Sequence, residues 1–243
     1  MTTSSVRAWT TQKSKLAAYA SAFPPKRDSS ALSTRAGRAR AACRTSPLAL
    51  RTSTMARQGD ALVNPVTGER LVFRWTTADS GGAVLSFAYF LPAGGSVPLA
   101  HVHPRQEERF EIVSGRARIR VGLRLLRASA GESVVVPRGT VHRLWNDGED
   151  ELQVLVEFRP ALRTEEGFEQ LFGLAREGKL SRRGFPHPLQ IAVMAKEYRD
   201  EAQFPLVPTV VQRALIAPLA AIGVRRGYRA FDPRYEAGPA PAP

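Results

Sequence analysis

One cysteine, Cys43, occurs in 243 residues, so neither an intramolecular disulfide nor a cysteine-cluster metal site can form within the chain. Long apolar runs are missing as well. No apolar run reaches the ~18 to 20 residues without charges that a membrane-spanning helix needs. No apolar core of about 7–15 residues stands ahead of a cleavage site, so a secretory leader is not expected. Acid is nearly absent from the first 59 residues, where eleven Lys and Arg accompany the single Asp28. The formal net charge of +13 is therefore split unevenly, with +10 in residues 1–59 and +3 in residues 60–243. The basic excess sits in a tail rather than on a folded face, which removes most of the support for a nucleic-acid partner. What is present is ordinary for a globular protein: 43% apolar and 23% charged residues, in a length that suits one or two domains.

Residues 1–54 are rich in Ser, Thr, Ala and Arg and show neither a 3.6- nor a 2.0-residue period. Too little apolar mass to offset chain entropy predicts a disordered basic extension. Three readings compete for it. It is an upstream extension with the working start at Met55, a transit peptide, or a nucleic-acid-binding arm. The expected location is the cytoplasm, or an organelle if residues 1–54 are a transit peptide.

From Arg70 to Pro160 short runs rich in Val, Leu, Phe and Ile alternate with Gly, Pro and Asn/Asp. Strands are expected at Leu71–Thr76, Val84–Leu91, Ala100–His103, Arg109–Val113, Ala117–Val121, Arg124–Arg127, Ser133–Val136, His142–Asn146 and Leu152–Phe158. Leu152, Val154, Val156 and Phe158 share one face of the last. Ser114-Gly115 and Asn146-Asp147-Gly148 read as hairpin signals. Many short strands without intervening helices indicate a sandwich or barrel.

Three of the four histidines fall in this region. His101 and His103 are two apart, so on a strand both imidazoles face one side and can share a metal. Glu108 is in phase with Phe110 and Ile112, which should face the interior, whereas Glu107 is in phase with Arg109 and Glu111, which should face water. Glu108 is therefore the inward carboxylate. His142 opens a later strand after the turn Pro137-Arg138-Gly139. His187, within Phe185-Pro186-His187-Pro188, reads as a loop residue, and Phe110 and Trp145 as barrel filling.

Two segments carry a family resemblance. Gly95, His101, His103, Glu108 and Gly115 fit the pattern G-x5-H-x-H-x3,4-E-x6-G. Gly131, Pro137, Gly139, His142 and Asn146 fit G-x5-P-x-G-x2-H-x3-N. These resemble the two motifs of the cupin superfamily, over roughly residues 70–160, and the chain is similar to small bacterial single-cupin proteins that begin near Met55. The resemblance implies a mainly β fold, a double-stranded β-helix or jelly-roll barrel over residues 55–162. It also implies a divalent metal (Fe, Mn, Ni, Co, Cu or Zn) held by His101, His103, Glu108 and His142. It names no catalytic residue.

Residues 163–232 change period and predict a helical extension, followed by a disordered end at 233–243. One helix opens at Thr164 and ends near Gly178, with Phe168, Leu171, Phe172 and Ala175 at helical spacing. A second runs near Leu189–Tyr198, and a third near Thr209–Val224 is interrupted at Pro218. The third packs on the barrel or on a dimer partner, or else lies at a membrane surface with Arg225, Arg226 and Arg229 at the head groups. A homodimer is expected, because jelly-roll sheets leave edges that need cover. Three functions stay open: a metal-dependent enzyme, either a small-molecule dioxygenase or an isomerase; a non-catalytic module binding a small molecule such as a sugar or organic acid; and a structural or membrane-peripheral partner.

Overall fold

The computed structural model describes residues 56–205 and 209–239. The expected basic extension, residues 1–54, lies outside them. Ten strands form two antiparallel sheets. They are β1 (Asp60–Val63), β2 (Arg70–Trp75), β3 (Leu85–Leu91), β4 (Glu107–Ser114), β5 (Arg116–Val121), β6 (Arg124–Ser129), β7 (Ser133–Val136), β8 (His142–Asn146), β9 (Leu152–Arg159) and β10 (Gly238–Pro239). One sheet runs β10-β1-β2-β3-β9-β4-β7 and the other β6-β5-β8. Three helices follow the barrel: α1 (Thr164–Arg176), α2 (Pro188–Glu197) and α3 (Thr209–Arg225).

Alternation places the core. Leu152, Val154, Val156 and Phe158 are buried on one face of β9, opposite Leu91, Tyr89, Phe87 and Leu85 of β3. Ile119 of β5 and Leu144 of β8, paired in the facing sheet, complete the same core. Phe168 of α1 packs edge-on to Phe87, with ring centroids 5.1 Å apart, and tilts against Phe158 at 6.3 Å. α1 thus covers aromatic side chains that a lone barrel would leave wet.

Eight of the nine expected strands are present. The exception is Ala100–His103, which makes isolated bridges to His142 and Gln203 instead of a continuous ladder. Pro98 and Pro104 flank this segment and supply no N–H to extend the pairing. Both expected hairpins are corners. β4 and β5, like β8 and β9, belong to different sheets, so the chain crosses between sheets at Gly115 and again at Asn146–Gly148. Gly115 has φ of 84°, and a Cβ there would lie 3.2 Å from the Cα of Leu152. A positive φ and a close approach together require glycine. The tight hairpin is instead β5–β6, where Val121 pairs with Arg124 across Gly122-Leu123.

The C-terminal part also departs from expectation. α3 continues through Pro218 instead of breaking there. Residues 233–239, expected to be disordered, form a 3₁₀ turn at Pro233–Tyr235 and then β10, which pairs with β1; residues 240–243 lie outside the described residues. Two residues of α1, Glu169 and Gly173, seat this segment. Glu169 accepts from the N–H of Ala237 at 3.0 Å, and burial raises its pKa to about 7. Tyr235 is buried directly over Gly173, where a Cβ would overlap its ring. Gly173→Ala should therefore lower stability by about 2 kcal/mol and the thermal midpoint by ~4–8 °C, as overpacking does in a chain of this size. An unchanged melting curve would show that Tyr235 is not docked there.

Candidate metal centre

The site is built from one loop and two strands. Glu108 lies at the start of β4, where Phe110 and Ile112 set the inward phase, and it is buried while Glu107 is exposed. His142 opens β8 in phase with Leu144 and Asn146, and it is fully enclosed. His101 and His103 come from the loop ahead of β4. His101 exchanges both backbone bonds with His142, at 3.1 and 2.9 Å, and the carbonyl of His103 accepts from the N–H of Gly139 at 2.8 Å. The Pro-Arg-Gly turn of the second segment therefore fixes the loop of the first.

The four side chains converge. One ligand atom from each of His101, His103, Glu108 and His142 lies within 4.8 Å of all the others. Nε2 of His101 stands 3.1 Å from Nε2 of His103. Oε2 of Glu108 stands 3.3 Å from Nε2 of His103 and 2.6 Å from Nε2 of His142. Despite that proximity, Oε2 of Glu108 and Nε2 of His142 are buried without a well-directed hydrogen-bond partner.

The remaining ring nitrogens explain the convergence. Nδ1 of His101 bonds the carbonyl of Leu99 at 3.0 Å, Nδ1 of His142 that of Thr140 at 3.0 Å, and Nδ1 of His103 that of Glu201 at 2.5 Å. A carbonyl oxygen only accepts, so each Nδ1 carries a proton and each ring turns its Nε2 inward. Burial, with His103 and His142 alongside, lowers the pKa of His101 to about 3 and keeps that ring neutral. Burial alone would raise the pKa of Glu108, but its contacts with His103 and His142 outweigh this and hold it ionised. The opposite balance acts at His142, where burial works against protonation and the adjacent Glu108 carboxylate lifts the pKa above the ordinary value.

This donor set fits a divalent ion. Neighbouring ligands ~2.1 Å from one octahedral ion stand about 3.0 Å apart, and the observed separations of 2.6, 3.1 and 3.3 Å bracket that spacing. Three imidazoles and one carboxylate suit borderline transition metals, and second-sphere carbonyls orienting each imidazole are the usual support of such ligands. Phe158 and Phe110 flank the group, at ring-centroid distances of 5.0 Å from His103 and 6.3 Å from His142.

His187 is a loop residue, as expected; it caps α2 by accepting from the N–H of Leu189 and stacks on Tyr228. Phe110 is buried, but Trp145 does not fill the barrel. It is out of phase with the buried His142, Leu144 and Asn146, and lies half-exposed beneath Arg118 and Arg143. One contributor had no sequence signal. The chain between α2 and α3 comes back to the site, where the Glu201 carbonyl orients His103 and Gln203 exchanges two backbone bonds with Val102. Backbone groups carry no residue-type signature, so no motif could mark them.

The family model of the cupin domain matches residues 88–158, and the chain carries a cupin domain there. An uncharacterized protein of Streptomyces coelicolor is 44% identical over 55 residues, 23% of this chain. The match spans about half of that relative, 51% of its length. Among solved structures, a Klebsiella pneumoniae protein with a double-stranded β-helix domain is 16% identical, with 49% of this chain and 93% of that one covered and a TM-score of 0.34. The oxalate decarboxylase of Lactobacillus farciminis is 22% identical, with 39% and 29% covered and a TM-score of 0.35.

Proposed function

We propose that the barrel holds one divalent transition metal on His101, His103, Glu108 and His142 and uses it to bind and oxidise a small oxygen-bearing organic molecule with dioxygen. The observation that carries this reading is the orientation of the three imidazoles. Each commits Nδ1–H to a backbone carbonyl, which leaves the Nε2 atoms to converge with Oε2 of Glu108. Four protein ligands leave open positions in an octahedral shell. A metal there would supply Lewis acidity and, as iron, an electron for dioxygen.

The chain's own residues do the rest. The carbonyls of Leu99, Thr140 and Glu201 keep the rings aimed. Glu108, held ionised, offsets part of the ion's charge. Phe110 and Phe158 limit water around the group. His101 is the most solvent-accessible of the four, so a ligand is expected to enter on its side.

Oxygen-electrode assays of Fe(II)-loaded protein against candidate diols, phenols and small organic acids test the reaction. Dioxygen uptake that depends on both metal and substrate supports it. Tight binding of one of these molecules with no uptake would replace it with the non-catalytic reading, and conversion without uptake would replace it with metal-dependent isomerisation.

A further inference from the structure

α3 is apolar on two sides. One side packs on α2, where Ala220 is buried with Ala192 and Val193. A Cβ at Gly223 would stand 2.7 Å from Cγ2 of Val193, so the two helices are in close contact. The other side carries Val211, Leu215, Leu219 and Ile222, which are 44, 56, 43 and 43% exposed. At about 100° per residue these four fall within an arc of roughly 80°, a continuous stripe. A helix that is apolar all round is normally enclosed, and a contiguous exposed stripe marks an interaction surface.

The charge within α3 and just after it has one sign. Between Glu201 and Asp232 the chain carries no acid and four arginines, Arg213, Arg225, Arg226 and Arg229. The last three are exposed at the C-terminal end of α3. Beside that end lies a hollow of about 780 Å³ lined by Lys179, His187, Arg226, Arg229 and Arg234. Asp232 in its lining pairs with Arg234 at 2.7 Å, and Glu177 beside it pairs with Lys179 at 2.5 Å, so the charge offered to a partner rests on Arg226 and Arg229.

We propose that α3 and the cationic hollow at its C-terminal end dock on a membrane surface that carries anionic phospholipid. The stripe of Val211, Leu215, Leu219 and Ile222 lies along the acyl boundary, and Arg225, Arg226 and Arg229 engage head-group phosphates. Apolar contact and basic charge are the two terms that bind interfacial helices. The helix lies on the surface and does not span it, since no helix among the described residues is long and apolar enough to cross a membrane. A second copy of the chain fits this face less well. Antiparallel pairing of two α3 helices would set each arginine-bearing end against the positive N-terminal end of the other. Residues 202–231 supply no acid to receive it.

The test is co-sedimentation of the full chain with vesicles of phosphatidylcholine alone and of phosphatidylcholine mixed with phosphatidylserine. The wild type should sediment with the mixed vesicles and not with the neutral ones. Leu215→Asp/Leu219→Asp should weaken that binding at least about ten-fold, and Arg226→Ala/Arg229→Ala by roughly five-fold or more. Both substituted pairs are exposed, so circular dichroism and the thermal midpoint should match the wild type. The basic residues before position 60 attract anionic vesicles equally in all three proteins, so the comparison isolates α3. Equal binding by the Leu215→Asp/Leu219→Asp protein and the wild type would overturn the proposal. So would a dimer that dissociates on that substitution with no change in vesicle binding, which would assign the stripe to a second copy of the chain.

Discussion

His101→Ala, His103→Ala and His142→Ala should each reduce bound metal from one ion per chain to a trace. Each deletes a ligand and leaves the other three around an incomplete shell, so affinity collapses. Glu108→Gln exchanges an anionic oxygen for a neutral amide and should weaken binding ~100-fold or more, whereas Glu107→Gln should bind as the wild type does. The contrast rests on β4, where Glu108 is buried and Glu107 exposed. None of the variants should unfold, because Phe110, Ile112, Val154 and Val156 form a core that does not depend on the ion. The metal-loaded wild type should melt above them, since an ion bound only by the folded state stabilises it by mass action. Binding should also weaken as pH falls. Glu108 raises the pKa of His142, so a proton competes with the ion for Nε2 there, while His101 stays neutral. Isothermal titration across pH checks the sign. Tighter binding in acid would contradict it. Metal lost by Glu107→Gln and kept by Glu108→Gln would mean a one-residue error in register, which turns every side chain of β4 to the other face.

The second large effect is expected at Asn146, the last position of the second motif. Its Nδ2 donates to the carbonyls of Leu91, Pro92 and Asp150, at 3.0, 3.0 and 2.7 Å, and its Oδ1 accepts from the N–H of Gly148 at 2.9 Å. The side chain is buried at the corner where the chain leaves β8 for β9 in the other sheet. Asn146→Ala strands these groups and should cost about 3 kcal/mol, lowering the thermal midpoint by ~6–12 °C. Asn146→Asp keeps the acceptor but points a carboxylate at three carbonyls, so it should be no better. Denaturant unfolding gives the value. A normal midpoint with loss of metal would instead make Asn146 part of the ion's shell.

These two expectations show how far the sequence could be read. The inward phase of Glu108 followed from Phe110 and Ile112, because a strand's two-residue period leaves one choice once the apolar face is known. The face shared by Leu152, Val154, Val156 and Phe158 followed in the same way. Sheet membership did not. Ser114-Gly115 and Asn146-Asp147-Gly148 contain good turn residues, but a turn that closes a hairpin and a corner that changes sheets need the same backbone freedom at glycine. Their difference lies in strands far along the chain. β10 was invisible for a related reason: Gly238-Pro239 has no strand propensity and is held by pairing to β1 and by Glu169 bonding the neighbouring Ala237. Trp145 has the size of a barrel-filling side chain, but the phase of its strand, not its size, decides which face it takes. The Glu201 carbonyl at His103 belongs to the helical extension, 98 residues away, and no local pattern connects the two.

Whether the four converging side chains hold a metal is measured most directly by elemental analysis of the wild-type chain, expressed and purified without a histidine tag and without added metal. One divalent transition-metal ion per chain, lost in the His142→Ala protein prepared in parallel, is the predicted result. A wild-type content indistinguishable from that of His142→Ala, persisting after dialysis against Fe(II), Mn(II), Co(II), Ni(II), Cu(II) and Zn(II), would contradict it.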